Sequence, residues 1–414
     1  MKKIIPVAVL SLLTVAGTAL GSGYRIPEQS LNATAKCGAN VAFSNGADAA
    51  FFNPANMSWL DDRTLLEVNA TYIGLQSITY TDNRTSAYNG ASIYETVFLP
   101  SFFVVSSDYN GFRLGLSLDI PAGLSKEWHQ PYPRTFAEEF SLKVIEINPT
   151  VSYRINDMVS VAAGISALYA EATVKSAGII SREYGGVRAS RDMEGDTWEW
   201  GFNLAASVRP VPEMQLAVTY RSNVDLDFEG DGRLATSAAF AGNPVYEGDG
   251  GVSSPLPAVL TLAGSYTFFD HLTVELEYDR TFWSEYESLD FSYPRSLGNP
   301  FLTAAFDDPK AKNWEDTDTW RFGVSYVLGD VTLMAGLAID ENPVPDATLN
   351  FDIPDSDARF YSLGLRYRLN SDMEMGIGYL YNDKESRTVA NEVVNGTFDD
   401  AGAHLVTVAF SYRL

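Results

Sequence analysis

The feature that most constrains the fold of this chain is a series of strand-like segments whose connections alternate between short and long. Successive side chains of a β-strand point to opposite faces, so a strand with one apolar face is apolar at every second position. Near the end of the chain, Val406, Val408 and Phe410 alternate with Thr407 and Ala409. The same alternation predicts fourteen strands, at residues 64–80, 93–107, 112–124, 140–153, 159–173, 197–208, 214–227, 256–267, 272–286, 318–327, 331–339, 360–369, 373–381 and 404–414.

The connections distinguish a barrel from other all-β folds. Short turns fall at Tyr109-Asn110, Asn156-Asp157, Pro210 to Pro212, Phe269-Asp270, Gly329-Asp330 and Asn370-Ser371. Long loops fall at 81–92, 125–139, 174–196, 228–255, 287–317, 340–359 and 382–403. In an up-and-down barrel, this order places all short turns at one rim and all long loops at the other, as in bacterial outer-membrane barrels. We therefore predict an all-β fold, a fourteen-stranded antiparallel transmembrane β-barrel over residues 61–414.

The first residues have the character of an export signal. Lys2 and Lys3 precede an apolar run at 4–19, and Ala19 and Gly21 supply the small residues of a cleavage site. We predict a signal peptide at residues 1–21. A membrane anchor is the alternative, and the short apolar run without a stop-transfer flank disfavours it. No later stretch is apolar for long enough to form a spanning helix, so a closed barrel is the remaining way to cross lipid with every backbone group paired.

Charge and composition exclude several function classes. The 53 acidic against 29 basic residues give a net charge of −24, which disfavours nucleic acid as a partner because phosphate would be repelled. One cysteine, Cys37, and three histidines leave little for a disulfide framework, a zinc site or a catalytic triad. No Gly-x-Ser-x-Gly motif is present. We therefore expect no cofactor, no metal and no catalytic residues.

Residues 22–60 do not alternate and are rich in Ala, Gly, Asn and Ser. A segment of small residues before a barrel of this size could fold inward as a plug, which we call the hatch. A periplasmic tail is the alternative that composition leaves open. Asn53-Pro54-Ala55 fits a rigid turn near its end, because Asn bonds its own backbone and Pro fixes φ.

The third predicted strand carries an irregularity. It alternates well up to Asp119 and then meets Ile120-Pro121-Ala122-Gly123. Proline cannot donate a ladder hydrogen bond, and a nearby glycine weakens the strand further. Two interpretations follow from the residues alone: a bulge or inward kink that opens the wall, or a strand that ends at Asp119 with Pro121 starting the loop.

Short motifs in a characteristic order run along the whole chain. They are Ser22 to Ile26, Asn53-Pro54-Ala55, residues 163–172, residues 219–228, Leu256-Pro257, residues 340–345 and residues 353–357. In this order the chain resembles the FadL family of outer-membrane transporters of long-chain fatty acids and other hydrophobic compounds. The resemblance implies an N-terminal hatch inside the barrel and a third strand that is kinked inward, leaving a lateral opening toward lipid. The implied hatch residues include Ser22, Gly23, Tyr24, Asn53, Pro54 and Ala55, and the implied kink is formed by Ile120, Pro121, Ala122 and Gly123.

The resemblance also implies where a ligand would bind. Apolar outer loops would capture it, with Ile179, Ile180, Tyr184, Leu234, Phe240 and Tyr246 as candidates. A fatty-acid carboxylate would need a basic partner, for which Lys175, Ser176, Lys310 and Lys312 are the matching positions. A pocket without a cation would suit neutral aromatic hydrocarbons better.

The function implied is passive import of hydrophobic molecules, with long-chain fatty acids first and neutral aromatic hydrocarbons by the same route as the alternative. A lipid enzyme and a general porin are alternatives of other classes. We expect an outer-membrane location with both termini periplasmic, contact with outer-membrane lipid and lipopolysaccharide, assembly by the barrel-assembly machinery, and a monomer.

Overall fold

The computed structural model describes residues 23–181 and 186–414, and the predicted signal peptide, Ser22 and Tyr184 lie outside them. In this part of the chain, fourteen antiparallel strands form one closed sheet, in which β1 pairs with β2 on one side and with β14 on the other. The strands are β1 Leu65–Leu75, β2 Glu95–Val105, β3 Phe112–Glu127, β4 Glu139–Arg154, β5 Val159–Ser181, β6 Val187–Val211, β7 Met214–Arg221, β8 Val259–Phe268, β9 Leu272–Thr281, β10 Thr317–Leu328, β11 Val331–Asp340, β12 Ala358–Arg368, β13 Met373–Lys384 and β14 Gly402–Arg413. The predicted fourteen-stranded barrel is confirmed.

The strands turn their apolar face outward. In β1, Val68 and Tyr72 are 50% and 43% exposed, whereas Glu67 and Asn69 are 1% exposed and face the lumen. A soluble sandwich would bury the first pair and hydrate the second. An apolar exterior around a polar interior is the arrangement of a barrel in lipid. No helix of the described residues is long and apolar enough to span a membrane.

Two predicted long loops are wrong in their extent, because the strands continue through them. β5 and β6 stay paired as far as Lys175↔Asp192 and beyond, within the predicted loop 174–196. The predicted loop 228–255 is largely a hairpin of strands Val224–Thr236 and Val245–Leu256, which we call the outer hairpin. The prediction limits each strand to the length that spans a membrane, but strands that are paired on both sides can extend beyond the membrane.

The other long loops pack into a cap over one end of the barrel. Their helices are Pro131–Arg134 and Pro300–Phe306, with 3-10 turns at Ser86–Tyr88, Ala239–Ala241 and Trp283–Glu285. Their short strands are Thr79–Asp82, Gly90–Ala91, Ser288–Leu289, Phe291–Ser292, Lys310–Ala311, Arg387–Ala390 and Asn395–Asp399. A buried apolar cluster that includes Trp128, Trp283 and Phe351 holds the cap on the barrel.

The hatch, residues 23–60, packs against the inner face of the wall. It contains helices α1 Leu31–Ala35 and α2 Ala49–Phe52 and the 3-10 helix Pro54–Trp59. Wall glycines make room for it, because a Cβ at Gly336 would collide with Lys36 and a Cβ at Gly364 would collide with Ala35. The small residues on both sides therefore allow the hatch backbone to approach the wall closely.

The two ends of the described chain lie at opposite ends of the barrel. Leu414 donates its backbone N–H to Thr64 at the short-turn rim. Gly23 donates to Asp355 Oδ2 at 3.1 Å, and Asp355 belongs to a long loop. The last residue therefore lies at the short-turn rim, whereas the first described hatch residue contacts a long loop. The periplasmic location of both termini stays a prediction.

Candidate functional site

A cavity of about 780 Å³ lies under the cap. Its apolar lining comes from Phe136, Phe140, Ile179, Ile180, Leu289, Phe291, Phe301 and Phe306. Ser176, Lys310 and Lys312 also line it, so the structure brings together three of the four carboxylate candidates and two of the capture candidates. We call this space the outer cavity.

Two cations in the outer cavity are available to an anionic ligand. Arg191 lies over the rings of Phe291 and Phe306, with its Cζ 4.2 and 5.5 Å from their centroids, and its buried Nε has no hydrogen-bond partner among the described residues. Lys310 is exposed and makes no ion pair with the described part of the chain. Lys312, in contrast, is paired with Asp352.

Sequence reasoning missed Arg191, although a signal was present. Ala189, Arg191 and Met193 continue the alternation of β6, and two of these three side chains are buried on the inward face. The predicted strand begins at residue 197. Extending its alternating pattern toward the N-terminus would place the Arg191 guanidinium inside the cap.

Of the other candidates among the described residues, none lines the outer cavity. The Lys175 ammonium lies 3.1 Å from Glu139, with Asp192 and Glu194 within 4 Å, so acidic groups already surround it. Lys175 is therefore a poor carboxylate anchor. Leu234 and Tyr246 are buried in the apolar cluster of the cap rather than exposed to a ligand, and Phe240 is 69% exposed near the tip of the outer hairpin.

A smaller pocket of about 30 Å³ lies below the outer cavity and shares Phe140, Leu289 and Phe291 with it. The rest of its lining is Tyr24, Leu124, Ser141, Leu142, Ala172, Val174, Phe228, Val252, Ser254, Tyr286 and Ile353, none of which is charged. The Tyr24 ring packs 4.7 Å from Trp283, and its hydroxyl donates to Pro255 O. This inner pocket joins the outer cavity to the start of the hatch through apolar contacts.

Beside the inner pocket, the barrel wall is interrupted at β3. The β2–β3 ladder runs only from Phe102↔Leu118 to Val105↔Gly115. The β3–β4 register then shifts between Asp119 and Ala122, so that the chain bulges at Ile120 and Pro121. β3 nevertheless continues to Glu127. The strand therefore bulges and separates from β2 rather than ending at Pro121.

We call the unpaired edges, residues 95–101 of β2 and 119–127 of β3, the side window. It is closed at the top by a hydrogen bond of 3.1 Å from Ile93 N to Glu127 O. The hatch, and not β2, pairs with the β3 edge: Ile26 N donates to Pro121 O at 2.8 Å and Gly123 N donates to Tyr24 O at 2.9 Å.

Gln29 contacts both sides of the side window. Its Nε2 donates to Ile120 O at 2.7 Å and its Oε1 accepts from Ile120 N at 3.2 Å. Its backbone oxygen accepts from Ser101 Oγ of β2 at 2.6 Å. Gln29 thereby replaces a missing strand neighbour, because main-chain groups at this depth need polar partners.

Polar contacts join the hatch to β9 of the wall. Glu275 accepts the Ala42 N–H at 2.6 Å and pairs with Lys36 at 3.1 Å, and Glu277 accepts the Val41 N–H at 3.1 Å. Hydrogen bonds of this kind each contribute about 1 kcal/mol net, or more when one partner is charged. These polar contacts act alongside a buried apolar cluster in which Val41 and Phe51 of the hatch pack with Phe103 of β2.

The turn at Asn53-Pro54-Ala55 pins the far end of the hatch. The Asn53 side chain accepts from Ala55 N at 3.1 Å and donates to Ser207 Oγ of β6 at 2.9 Å. Pro54 starts the 3-10 helix, and Ala55 is fully buried. The predicted rigid turn therefore also joins the hatch to the wall.

Among residues 23–181 and 186–414, no three His, Cys, Asp or Glu side chains are placed to hold one metal ion. His404 Nδ1 lies 2.8 Å from the Tyr379 hydroxyl, and His129 Nε2 lies 2.5 Å from Glu127 Oε1.

A lipid-facing barrel with a filled lumen, apolar cavities under its loops and an interrupted wall defines the class of outer-membrane transport barrels. The chain belongs to the family described as "Outer membrane protein transport protein (OMPP1/FadL/TodX)", whose family model matches residues 12–414. It is therefore an outer-membrane protein.

Named relatives agree with this assignment. Outer membrane protein P1 of Haemophilus influenzae is 26% identical over 90% of this chain and 88% of its own length. The long-chain fatty acid transport protein of Escherichia coli O6:H1 is 24% identical over 99% of this chain and 98% of its own length.

Solved structures share the fold. A FadL homologue from Pseudomonas aeruginosa superposes with a TM-score of 0.81 at 21% identity, covering 94% of this chain and 99% of that one. The Ralstonia pickettii toluene transporter TbuX superposes with a TM-score of 0.73 at 17% identity, covering 93% and 98%.

Proposed function

We propose that this protein imports hydrophobic small molecules passively across the outer membrane, with long-chain fatty acids as its main ligands. The observation that carries the proposal is the side window, an interruption of the wall that the hatch fills next to an apolar pocket. A ligand would enter the outer cavity, pass to the inner pocket and leave sideways into the bilayer when the hatch segment at residues 24–29 moves.

Burial of the acyl chain supplies the driving force. Each buried methylene gains about 0.8 kcal/mol, so a series of apolar sites can extract a ligand from water without an energy source. The shared residues Phe140, Leu289 and Phe291 provide continuity between the first two sites. No bond is made or broken in this route, and we propose that the protein is not an enzyme.

The carboxylate of a fatty acid would bind at the outer cavity. Within the described part of the chain, Arg191 and Lys310 make no ion pair, whereas Lys312 is neutralised by Asp352. A charge-assisted hydrogen bond to either group would orient the head toward the cap and the chain toward the inner pocket.

Neutral aromatic hydrocarbons are the second candidate ligands. The inner pocket favours them, because its lining contains aromatic and aliphatic side chains and no charged one. Two of the solved relatives are named toluene transporters. The route would be the same, without the carboxylate contact in the outer cavity.

The orientation follows from the loop lengths. Short turns and Leu414 would face the periplasm, and the cap would face the exterior among lipopolysaccharide molecules. We further propose removal of residues 1–21 as a signal peptide, insertion by the barrel-assembly machinery, and action as a monomer.

Uptake by cells that lack their own transporters of this class tests the proposal. Cells expressing the protein should accumulate radiolabelled oleate faster than cells without it, and should not gain permeability to sucrose. Unchanged oleate accumulation would contradict the proposal, and strong sucrose flux would favour a general porin.

A further inference from the structure

The barrel wall has a second interruption, between β6 and the chain that follows β7. The ladder between these strands runs from Val208↔Leu216 to Asn203↔Arg221. It resumes only at Asp196↔Glu229 in the outer hairpin. Between these points, residues 197–202 on one edge and 222–228 on the other form no ladder pairs, and the second edge is one residue longer. We call this gap the side slit.

A cavity of about 100 Å³ lies behind the side slit. On one side it is lined by Gly201, Phe202, Ser222 and Val224, which belong to the slit edges. On the other side it is lined by the hatch residues Arg25, Ile26, Pro27, Gly38, Val41, Phe51 and Phe52, and by Pro121 of the β3 bulge. The cavity therefore extends from the region of the side window to the side slit.

Side chains rather than a ladder close the side slit. A Cβ placed on Gly201 would lie 2.8 Å from Val224 Cγ2, so the valine packs directly on the glycine. One pair of hydrogen bonds remains at the lower end, from Ser222 N to Phe202 O at 2.9 Å and from Phe202 N to Ser222 Oγ at 3.0 Å. Moving Val224 would open the slit with little loss of main-chain bonding, whereas opening an intact ladder in lipid costs several kcal/mol per group.

The side slit lies at the height of the side window. Ile120 is ten residues beyond the short turn at Asn110, and Phe202 is ten residues before the turn at Pro212. Ten tilted strand residues cross about 25 Å, the apolar thickness of an outer membrane. Trp198 and Trp200, 57% and 68% exposed, flank the slit as interface aromatics do.

Charges around the cavity indicate which ligands could use it. The lining carries three carboxylates, Glu146, Glu277 and Asp279, against two guanidinium groups, Arg25 and Arg221. Glu146 pairs with Arg221 at 2.9 Å. Because the cavity has no excess of positive charge, it would repel the carboxylate of a fatty acid or leave that carboxylate without a cation partner.

We propose that the side slit is a second lateral exit, used by uncharged apolar molecules such as monoaromatic hydrocarbons. The proposal rests on the proposed function, because it takes lateral release as the end of the route. The side slit differs from the side window in its position in the wall and in its ligands. Fatty acids leave through the side window, and neutral hydrocarbons leave through both openings.

A reversible cross-link tests this exit. In a Cys37→Ala background, Gly201→Cys and Val224→Cys would join the edges, since a Cβ on Gly201 would lie 2.8 Å from Val224 Cγ2. A control pair, Ala206→Cys with Val218→Cys, joins directly opposed positions in the intact ladder of the same strands, and neither residue lines the cavity. Uptake of radiolabelled toluene and of radiolabelled oleate is measured in whole cells, first oxidised and then reduced.

Oxidation of the slit pair should lower toluene uptake about twofold, because two parallel routes add their rates, and reduction should restore it. Oleate uptake, and both uptakes in the control pair, should stay unchanged. Equal toluene uptake in the oxidised and reduced states would overturn the second exit while leaving the proposed function intact. Failure of the wild-type protein to import either compound would overturn both.

Val224→Ala provides a variant that does not depend on disulfide formation. It removes two methyl groups from the slit without adding bulk, so toluene uptake should rise while oleate uptake stays constant. No change in toluene uptake, or an equal rise for both compounds, would contradict the assignment of the side slit to neutral ligands.

Discussion

At the scale of single residues, Gln29 is the strongest link between the hatch and the side window. Gln29→Leu keeps the volume but removes the side-chain bonds to Ile120, each of which contributes about 1 kcal/mol. We expect faster hydrogen–deuterium exchange at hatch residues 24–29 while the barrel strands stay protected. Gln76→Leu is the control, because Gln76 contacts His404 outside the window. Equal exchange in wild type and Gln29→Leu would contradict the role of Gln29 as a link.

Glu28 predicts a pH dependence of hatch docking. Burial raises the pKa of Glu28 to about 7 from 4.5, and neither carboxylate oxygen has a hydrogen-bond partner in the described structure. Arg321, Arg25 and Asp340 are the charged groups facing it. The folded state binds the proton of the Glu28 carboxyl more tightly than the unfolded state does. The contribution of this group to the free energy of unfolding is therefore complete below pH 4.5 and is lost as pH rises to 7.

The measurement is the free energy of unfolding in lipid vesicles at pH 5 and pH 8. Wild type should be less stable at pH 8 by up to about 3 kcal/mol from this group, and Glu28→Gln should remove most of that difference. An unchanged pH dependence in Glu28→Gln would assign the effect to other groups.

Arg191 is predicted to set the preference for carboxylates. Arg191→Leu should weaken oleate binding about tenfold, corresponding to a charged hydrogen bond of about 1.5 kcal/mol, and should leave toluene binding nearly unchanged. Lys175→Ala is the control, because three carboxylates already surround that ammonium. Equal losses for both ligands would indicate a packing role for Arg191.

Some of these contacts can be predicted from the sequence and others cannot. The turn at Asn53-Pro54-Ala55 was predictable because its chemistry is local. The partners of Gln29 and the stacking of Arg191 on Phe291 join residues about one hundred positions apart, and no local pattern encodes such contacts. The sequence motif led to Lys175, but strand alternation places its ammonium among acids.

At the scale of elements, the bulge in β3 leads to a specific prediction about oleate uptake. Replacing Ile120-Pro121-Ala122-Gly123 with regular alternating residues, and deleting one residue to remove the bulge, should restore the β2–β3 ladder. Oleate uptake should fall several-fold while folding and surface expression remain, because the side window would be closed by main-chain bonds. Unchanged uptake would contradict an exit at this strand.

The matched control is Pro149→Thr in β4. Pro149 also lies within a barrel strand, opposite Leu116, but borders no opening. Its replacement should leave oleate uptake unaffected. A similar fall in both variants would point to a general effect of strand changes on assembly.

The elements were predictable to different degrees. Alternation gave all fourteen strands, because the lipid-facing and lumen-facing sides differ sharply in polarity. It also located the irregularity at Pro121 but left open a strand end, since a proline alone does not reveal whether pairing resumes on the other side. The sequence does not predict the extension of β6, because Asp192, Glu194 and Asp196 occupy its exposed face, where no apolar residue marks the alternation.

At the scale of the whole molecule, the proposed function uses a route rather than a single site. Its parts are the outer cavity, the inner pocket and two openings in the wall, joined through the hatch. None of these spaces is visible in the sequence, because each is lined by residues from several strands and loops. The alternating pattern predicts the barrel, and the family resemblance implies that the N-terminal segment fills it.

The most direct measurement maps the path of a ligand on the protein. Cells expressing the wild type would take up a diazirine-bearing oleate analogue under irradiation, and the modified peptides would be identified by mass spectrometry. We expect adducts in the outer cavity, in the inner pocket and along the edges of the side window at residues 95–101 and 119–127. Adducts that continue instead down the lumen to the short-turn rim, with none at the window edges, would contradict lateral release.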